Sequence, residues 1–587
     1  DVSGAKFYYT RIDSTQSNID FLIDYFSTDA QPSSDPYDVY CDHFSIENTT
    51  FRYIGNETQD KQQKIHLQDI FVNAGNILVT SDTSGVLLYE MNFSSPELFN
   101  LEHLEVGAGY SDRWISARDM ELRTDQSIAK MSLTIGMDSL SQLSHPFENE
   151  ISVNALINRF SVVPAEFSSF YANLSTLKDS VYLKGSITGQ LNRLNLQDFE
   201  LNALPYASFQ GEAILEDPEK MASANMNLDI TDAFADPAKI EELIGVFTDK
   251  AVSIPQQVYN LEYIRAKGQL RGKTDDFYAG AIFSTAAGEI ITDLDVKKQN
   301  SNDKYKYKGN LEVRNFNMGK VMGNNVVGYV GFSAFVDGTG LDKYARADMN
   351  VTIDSAMINN RWYRNVQING KYADLAFDGD VDVVSSRLNA NINGRADFSR
   401  EQPSYTAEIN IPFADLKAIG LLDDQTAKHP IISTDIKMQL TGNKLDNLEG
   451  FLIANDTRWK EKENQVTMEK LSLDILSDKK GYHTISMESE FADVTAEGKF
   501  NFEDLPHDLL YVLINEFPAM ADGDNRDEIV KKHKKNGRYI DFQVNIHDTK
   551  ELTAVFMPGV RLDSGANIKG KILVDKQRIL LNGQLGT

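Results

Sequence analysis

Apolar and polar residues alternate over long stretches of this chain, and that alternation dictates strands with one dry and one wet face. Between Arg387 and Phe398, residues Leu388, Ala390, Ile392, Gly394, Ala396 and Phe398 share one face, and Arg387, Asn389, Asn391, Asn393, Arg395 and Asp397 share the other. The same phase recurs at Val181, Leu183, Gly185, Ile187 and Gly189, and at Ala224, Met226, Leu228 and Ile230. It returns at Ile264, Ala266, Gly268 and Leu270, at Ala345, Ala347, Met349, Val351 and Ile353, and at Ile540, Phe542, Val544 and Ile546. Parallel strands buried on both faces read as unbroken apolar runs, so antiparallel meanders fit better. Turn signals fall at Asn324-Asn325, Asp337-Gly338 and Asn443-Lys444. No fixed period of 20–50 residues recurs, which argues against a regular solenoid. The expected class is all-β, mainly antiparallel, with a few short helices.

A chain of 587 residues with this pattern would supply roughly 30–40 strands. An open sheet rarely exceeds about 10 strands without curling, splitting or stacking, so this one should curl around its own apolar face. The interior is then either filled, as in a sandwich, or left open to hold something apolar. Many dry-face positions are Gly or Ala, which either leave volume or face bulky partners and sharp bends. Short helices are expected near 15–26, 236–247, 412–422 and 505–517. The second is opened by Asp236-Pro237, a cap followed by Pro at the first helical position. The reading is a single elongated segment over 1–587, with a possible break at the loop 521–536. The first residue is Asp1 and the end still reads as strand, so a piece of a longer chain is expected.

Composition excludes several functions. Acidic residues outnumber basic ones, 86 against 58, for a net charge of −28, which disfavours nucleic acid and anionic surfaces as partners. One cysteine, Cys41, allows no internal disulfide and no cysteine-built metal site. No run of about 18 apolar residues offers a membrane helix. Gly268-Gln269-Leu270-Arg271-Gly272-Lys273-Thr274 is one residue short of a phosphate loop and lies in alternating strand. Gly331-Phe332-Ser333-Ala334-Phe335 lacks the second Gly of a nucleophile elbow, and the acidic stretch Asp522–Asp527 lacks calcium-loop order. The basic run Lys531–Lys535 reads as a solvated loop, with contact to anionic head groups as its functional option. The nine His have no metal-ligand spacing. No catalytic residue, metal site or cofactor is expected, and the chain is not read as an enzyme.

Three passages carry a resemblance: Gly328 to Asp342, with Asp337-Gly338-Thr339-Gly340-Leu341-Asp342; Asn359 to Gly370, with Trp362, Tyr363, Val366, Ile368 and Gly370; and Asp380-Val381-Asp382-Val383 followed by Leu388 to Gly394. They resemble the periplasmic repeats of the TamB family of AsmA-like, bridge-like lipid transfer proteins, best over Asp179 to Leu422. The resemblance implies a long taco-shaped β groove lined with apolar residues, in a protein anchored in the inner membrane. It implies phospholipids as cargo, carried across the periplasm toward an Omp85-family (TamA-like) outer-membrane barrel, and a link to outer-membrane protein assembly. No membrane anchor or barrel-docking domain is recognisable in this chain, so the inner-membrane contact falls on a segment outside it. The groove-lining candidates are Leu183, Ile187, Met226, Leu228, Ile264, Leu270, Phe332, Met349, Val351, Leu388, Ile392, Phe398, Phe542 and Val544. About thirty strands at 4.7–4.9 Å would reach roughly 140 Å. Two other classes stay open: a chaperone or scaffold pairing client strands on its sheet edge, and a secreted adhesin with a solid core.

Overall fold

The computed structural model describes residues 1–10, 17–18, 38–54, 64–144, 146–147, 150–220, 224–247, 254–299, 304–324, 326–340, 342–422, 429–478, 481–502, 504–516, 538–556, 564–574 and 578–584. It is all-β and mainly antiparallel, with 31 strands in open sheet and a few short helices among these residues. Contacts divide the chain into two units, Asp1–Lys298 and Gln299–Thr587, where the sequence reading has a single segment. The boundary falls in the connection after the strand Gly288–Lys298; the loop 521–536 lies outside the described residues.

Within each unit nearly every strand pairs with its neighbours in the chain. In the first unit the meander runs from Val39–Ile54 to Gly288–Lys298. Val2–Ser3 and Lys6–Thr10 lie parallel along the outer side of Val39–Ile54 and are the exceptions. In the second unit it runs from Tyr305–Asn317 to Arg578–Gln584. Hairpins of this kind follow from alternation plus short turns: each strand covers the open hydrogen bonds of the one before.

Many strands are longer than a simple alternation can serve, and a recurring bulge corrects them. Asn48, Asp69, Asn76, Asp119, Asp198, Asn315 and Asp456 have φ between 46° and 53°. Each sits at or beside a break in register, for example between Leu196 and Phe199 and between Val313 and Phe316. Asn and Asp tolerate this left-handed conformation better than other side chains, and the extra residue returns the following apolar side chains to the dry face. Bulges also bend a strand and raise its twist.

The dry-face glycines serve backbone geometry. A Cβ on Gly338 would lie 2.7 Å from the Tyr307 ring, and one on Gly370 would lie 2.8 Å from the Phe377 ring. Gly450, at φ +128°, would place a Cβ 2.0 Å from the carbonyl oxygen of Gln439. These positions face bulky partners or sharp bends, as one of the two sequence readings had it.

Two of the expected helices form as read, at Pro237–Phe247 and Leu505–Glu516. Asp236 caps the former, its Oδ1 accepting from the backbone N–H of Ala238 at 2.9 Å and of Lys239 at 3.2 Å. The expected helix at 412–422 does not form. Pro412 lies inside the strand Ser404–Asp415, where a register break at 411–414 tolerates its missing N–H, and only a single turn follows. Asp415 caps that turn and Gly420, at φ +83°, ends it. The expected helix at 15–26 lies outside the described residues, except for 17–18. Asp337-Gly338 is not a turn: both lie in the strand Val327–Thr339, Gly338 beneath Tyr307 and Asp337 paired with Lys308 at 2.9 Å.

Gly450→Ala should destabilise the second unit by about 1–3 kcal/mol, because it combines a clash with a disallowed φ. Gly245→Ala, in the helix Pro237–Phe247 with open space around it, should stabilise by about 1 kcal/mol. Urea unfolding of the two variants checks the pair; equal effects would contradict the assignment of Gly450 to a bend.

Candidate functional site

Register converts the one-sided strands into continuous apolar rows. In the second unit one row passes from Gly309 through Val336, Met349, Gly370, Gly379 and Gly394. It continues through Ala407, Met438, Leu452, Leu473, Met487, Val494 and Val544 to Ile568. A second row passes through Leu311, Ala334, Val351, Ile368, Val381, Ile392, Ile409, Ile436, Ala454 and Leu471. No charged side chain interrupts either. At 4.7–4.9 Å per strand the longer row extends about 60 Å along the hydrogen-bonding direction.

The first unit is built alike. Ile46, Val72, Met91, Leu104, Leu122, Ala129 and Phe160 lead to Leu183, Leu201, Phe209, Ala233, Ala266, Phe283 and Ile290. Beside it run Ala117, Leu133, Ala155, Ile187, Leu196, Ala213, Leu228, Leu270, Ala279 and Leu294, large and small residues intermixed.

Of the sequence-derived candidates, Leu183, Ile187, Leu228, Leu270, Met349, Val351, Ile392 and Val544 therefore stand in these rows. Phe332 stands between Val313 and Ile353, Met226 between Leu215 and Gly272, Ile264 between Ala235 and Thr285, and Leu388 beside Ala414. Phe398 lies just past the strand Leu388–Asp397, exposed, with its ring edge-on to Tyr405 at 5.8 Å. Phe542 pairs with Ala496 and Gly570 and packs beneath a helix.

Exposure decides between a filled and an open interior. Ile368, Val381, Ile392, Ile409 and Ile436 are all half-buried, neither sealed as in a core nor bare. Among the described residues of the second unit, Phe500, Tyr511, Val512, Ile540, Ile572 and Val574 are buried together as a sealed core, with Leu505 and Phe542 against them. There the helix Leu505–Glu516 covers the apolar face. Arg538 anchors it, donating to Asp508 at 2.6 Å and pairing with Asp504 at 2.7 Å. Both Arg538 and Asp508 are buried, so removing either would strand the other charge and the pair fixes the helix in one position. In the first unit the short helices Ala172–Thr176 and Pro237–Phe247 meet at a strand end, where Asn173 Nδ2 donates to the Val246 carbonyl at 3.0 Å.

The wet face is built from polar cross-strand pairs. Asn391 donates to Asp382 at 2.6 Å, Asn393 to Asp380 at 2.7 Å and Lys437 to Glu408 at 2.8 Å. Among the described residues no group of three or more His, Cys, Asp or Glu is arranged to hold a metal ion, and no helix is long and apolar enough to cross a membrane. The phosphate-loop near miss lies in the strand Ile264–Lys273. No family model, curated protein or solved structure matches this chain.

The sequence reading missed the Arg538 anchor and the Asx bulges. The anchor joins charges some thirty residues apart, which no local pattern reveals. The bulges do carry a signal, an apolar residue followed three places on by another, with Asn or Asp between, as in Leu196-Gln197-Asp198-Phe199 and Val313-Arg314-Asn315-Phe316.

His483 is buried between Phe500 and Phe502, its Nδ1 2.8 Å from Ser477 Oγ. Burial pushes its pKa below the usual imidazole range, against the pull of Asp446 and Asp478. The unfolded chain then takes up a proton that the folded site refuses, so stability present above about pH 6.5 is lost as pH falls below it. His483→Phe should flatten the fall in unfolding midpoint between pH 7 and 5.5; a slope unchanged from the parent would assign that fall to other groups.

Proposed function

We propose that this chain is a non-enzymatic lipid conduit, its apolar face carrying the acyl chains of phospholipids across the periplasm between inner and outer membranes. The single observation that carries the reading is the uncharged, half-buried apolar row maintained strand after strand in each unit. An acyl chain gains about 0.8 kcal/mol per CH₂ removed from water, so sixteen carbons gain roughly 13 kcal/mol at most. A row of uniform chemistry offers that gain at each step, so a tail slides along it without a large barrier. One inward charge would break the path, since an unpaired ion is strongly disfavoured there. The wet face and the net charge of −28 keep such a surface dispersed.

The resemblance to the TamB family supplies the setting: an inner-membrane anchor on a segment outside this chain, an Omp85-family barrel as partner, and a role in outer-membrane biogenesis. Where the helix Leu505–Glu516 covers the face, helix and tail compete for the same apolar surface.

The experiment is native mass spectrometry of the purified chain for bound phospholipid, with Ile392→Asp and Phe332→Asp as variants. Bound lipid in the parent, and at least a tenfold loss in both variants with strand content unchanged by circular dichroism, supports the conduit. Undiminished lipid in correctly folded variants would overturn it. Co-purification of unfolded β-barrel chains in place of lipid would favour the chaperone reading.

A further inference from the structure

Two arginines share a cavity in which no acid among the described residues neutralises them. The cavity, about 250 Å³, is bounded by Trp362 and Arg364 on the strand Arg361–Ala373 and by Ser385, Ser386 and Arg387 in the turn before the strand Leu388–Asp397. Backbone contacts hold the two sides together: Val366 faces Val383, and Asn365 Nδ2 donates to the Val384 carbonyl at 3.3 Å. The turn is locked by Ser385, whose Oγ accepts from the N–H groups of Arg387 at 3.3 Å and Leu388 at 3.1 Å and donates to the Leu388 carbonyl. The hydroxyl of Ser385 is therefore committed, while that of Ser386 makes no hydrogen bond among the described residues.

Neighbouring arginines on these strands are neutralised. Arg346 pairs with Asp374 at 2.6 Å, and Arg395 pairs with Asp397 at 3.2 Å and Asp378 at 3.6 Å. Arg364 and Arg387 make no ion pair among the described residues, in a chain with a net charge of −28. Both are exposed, so water screens their repulsion, and an anion between them would gain from both charges at once.

The geometry points to a binding site for a phosphate-class anion, held by the guanidinium groups of Arg364 and Arg387 and by Ser386, with the indole of Trp362 as its wall. Guanidinium forks match phosphate oxygens two at a time, and two forks offer more donors than a single carboxylate can accept. Tyr363 and Leu388, next in sequence to Arg364 and Arg387, stand on the apolar face, opposite Ala356 and Ala414. An anion here would therefore sit at the strand ends, beside the apolar face. The phosphodiester of a lipid headgroup and free phosphate share this chemistry. The lipid source rests on the conduit reading; the anion site itself does not.

The test uses the full chain with Trp114→Phe and Trp459→Phe, which leaves Trp362 as the sole indole. Its emission is titrated with inorganic phosphate and, separately, with dihexanoyl-phosphatidylglycerol below its micelle concentration. A saturable response is expected, weakened at least tenfold by Arg364→Gln and by Arg387→Gln and unchanged by Arg400→Gln, with folding checked by circular dichroism. Arginine-dependent binding of the lipid, with or without phosphate, supports the site as a headgroup clamp. Arginine-dependent binding of phosphate alone supports the anion site and counts against the conduit. Lipid binding that survives both arginine changes overturns the site and leaves the conduit standing. No saturable response to either probe overturns the site.

Discussion

Everything in this fold depends on keeping apolar side chains in phase. A strand presents alternate residues to opposite faces, so a slip of one residue would turn its greasy side to water. Long, twisted strands accumulate mismatch with their neighbours, and each mismatch must be absorbed without reversing the faces. Asn and Asp in the left-handed conformation do this. One residue is looped out at Asp198 or Asn315, the polar side chain accepts the strained backbone, and Phe199 or Phe316 rejoins the dry face.

What holds the sheet is distributed. Backbone hydrogen bonds run from hairpin to hairpin, and many apolar side chains, such as Ile392 and Ile436, are only half-covered by the strands beside them. Ion pairs on the wet face, such as Lys371 with Asp348 at 3.5 Å, are largely exposed and add little. Beneath the helix Leu505–Glu516 a sealed aromatic cluster adds burial, and the buried Arg538–Asp508 pair fixes where the helix sits. Half-burial elsewhere leaves apolar surface available to a ligand, which a tightly closed core could not do.

Strand class and the identity of the dry face were legible because alternation is a direct image of the pleat. Leu183, Ile392 and Val351 could be placed on one face from spacing alone. Asp236-Pro237 announced its helix because cap and first-turn Pro are local signals. Pro412 misled because the same residue that opens a helix is also tolerated where a strand's ladder is broken. Gly338 misled because glycine beside Asp reads as a turn, whereas here it makes room for a ring on the neighbouring strand. The cavity at Arg364 and Arg387 was invisible in one dimension: strand pairing, not sequence distance, brings Trp362 to the turn after Val384.

Nearest-neighbour pairing gives the protein an adjustable ruler. A hairpin inserted between two existing ones, with its dry face in phase, extends each apolar row by two strand spacings, about 10 Å, and leaves every older pairing intact. Deleting one shortens each row by the same step. The length of each apolar row is thus set by counting hairpins, with no new kind of contact to invent.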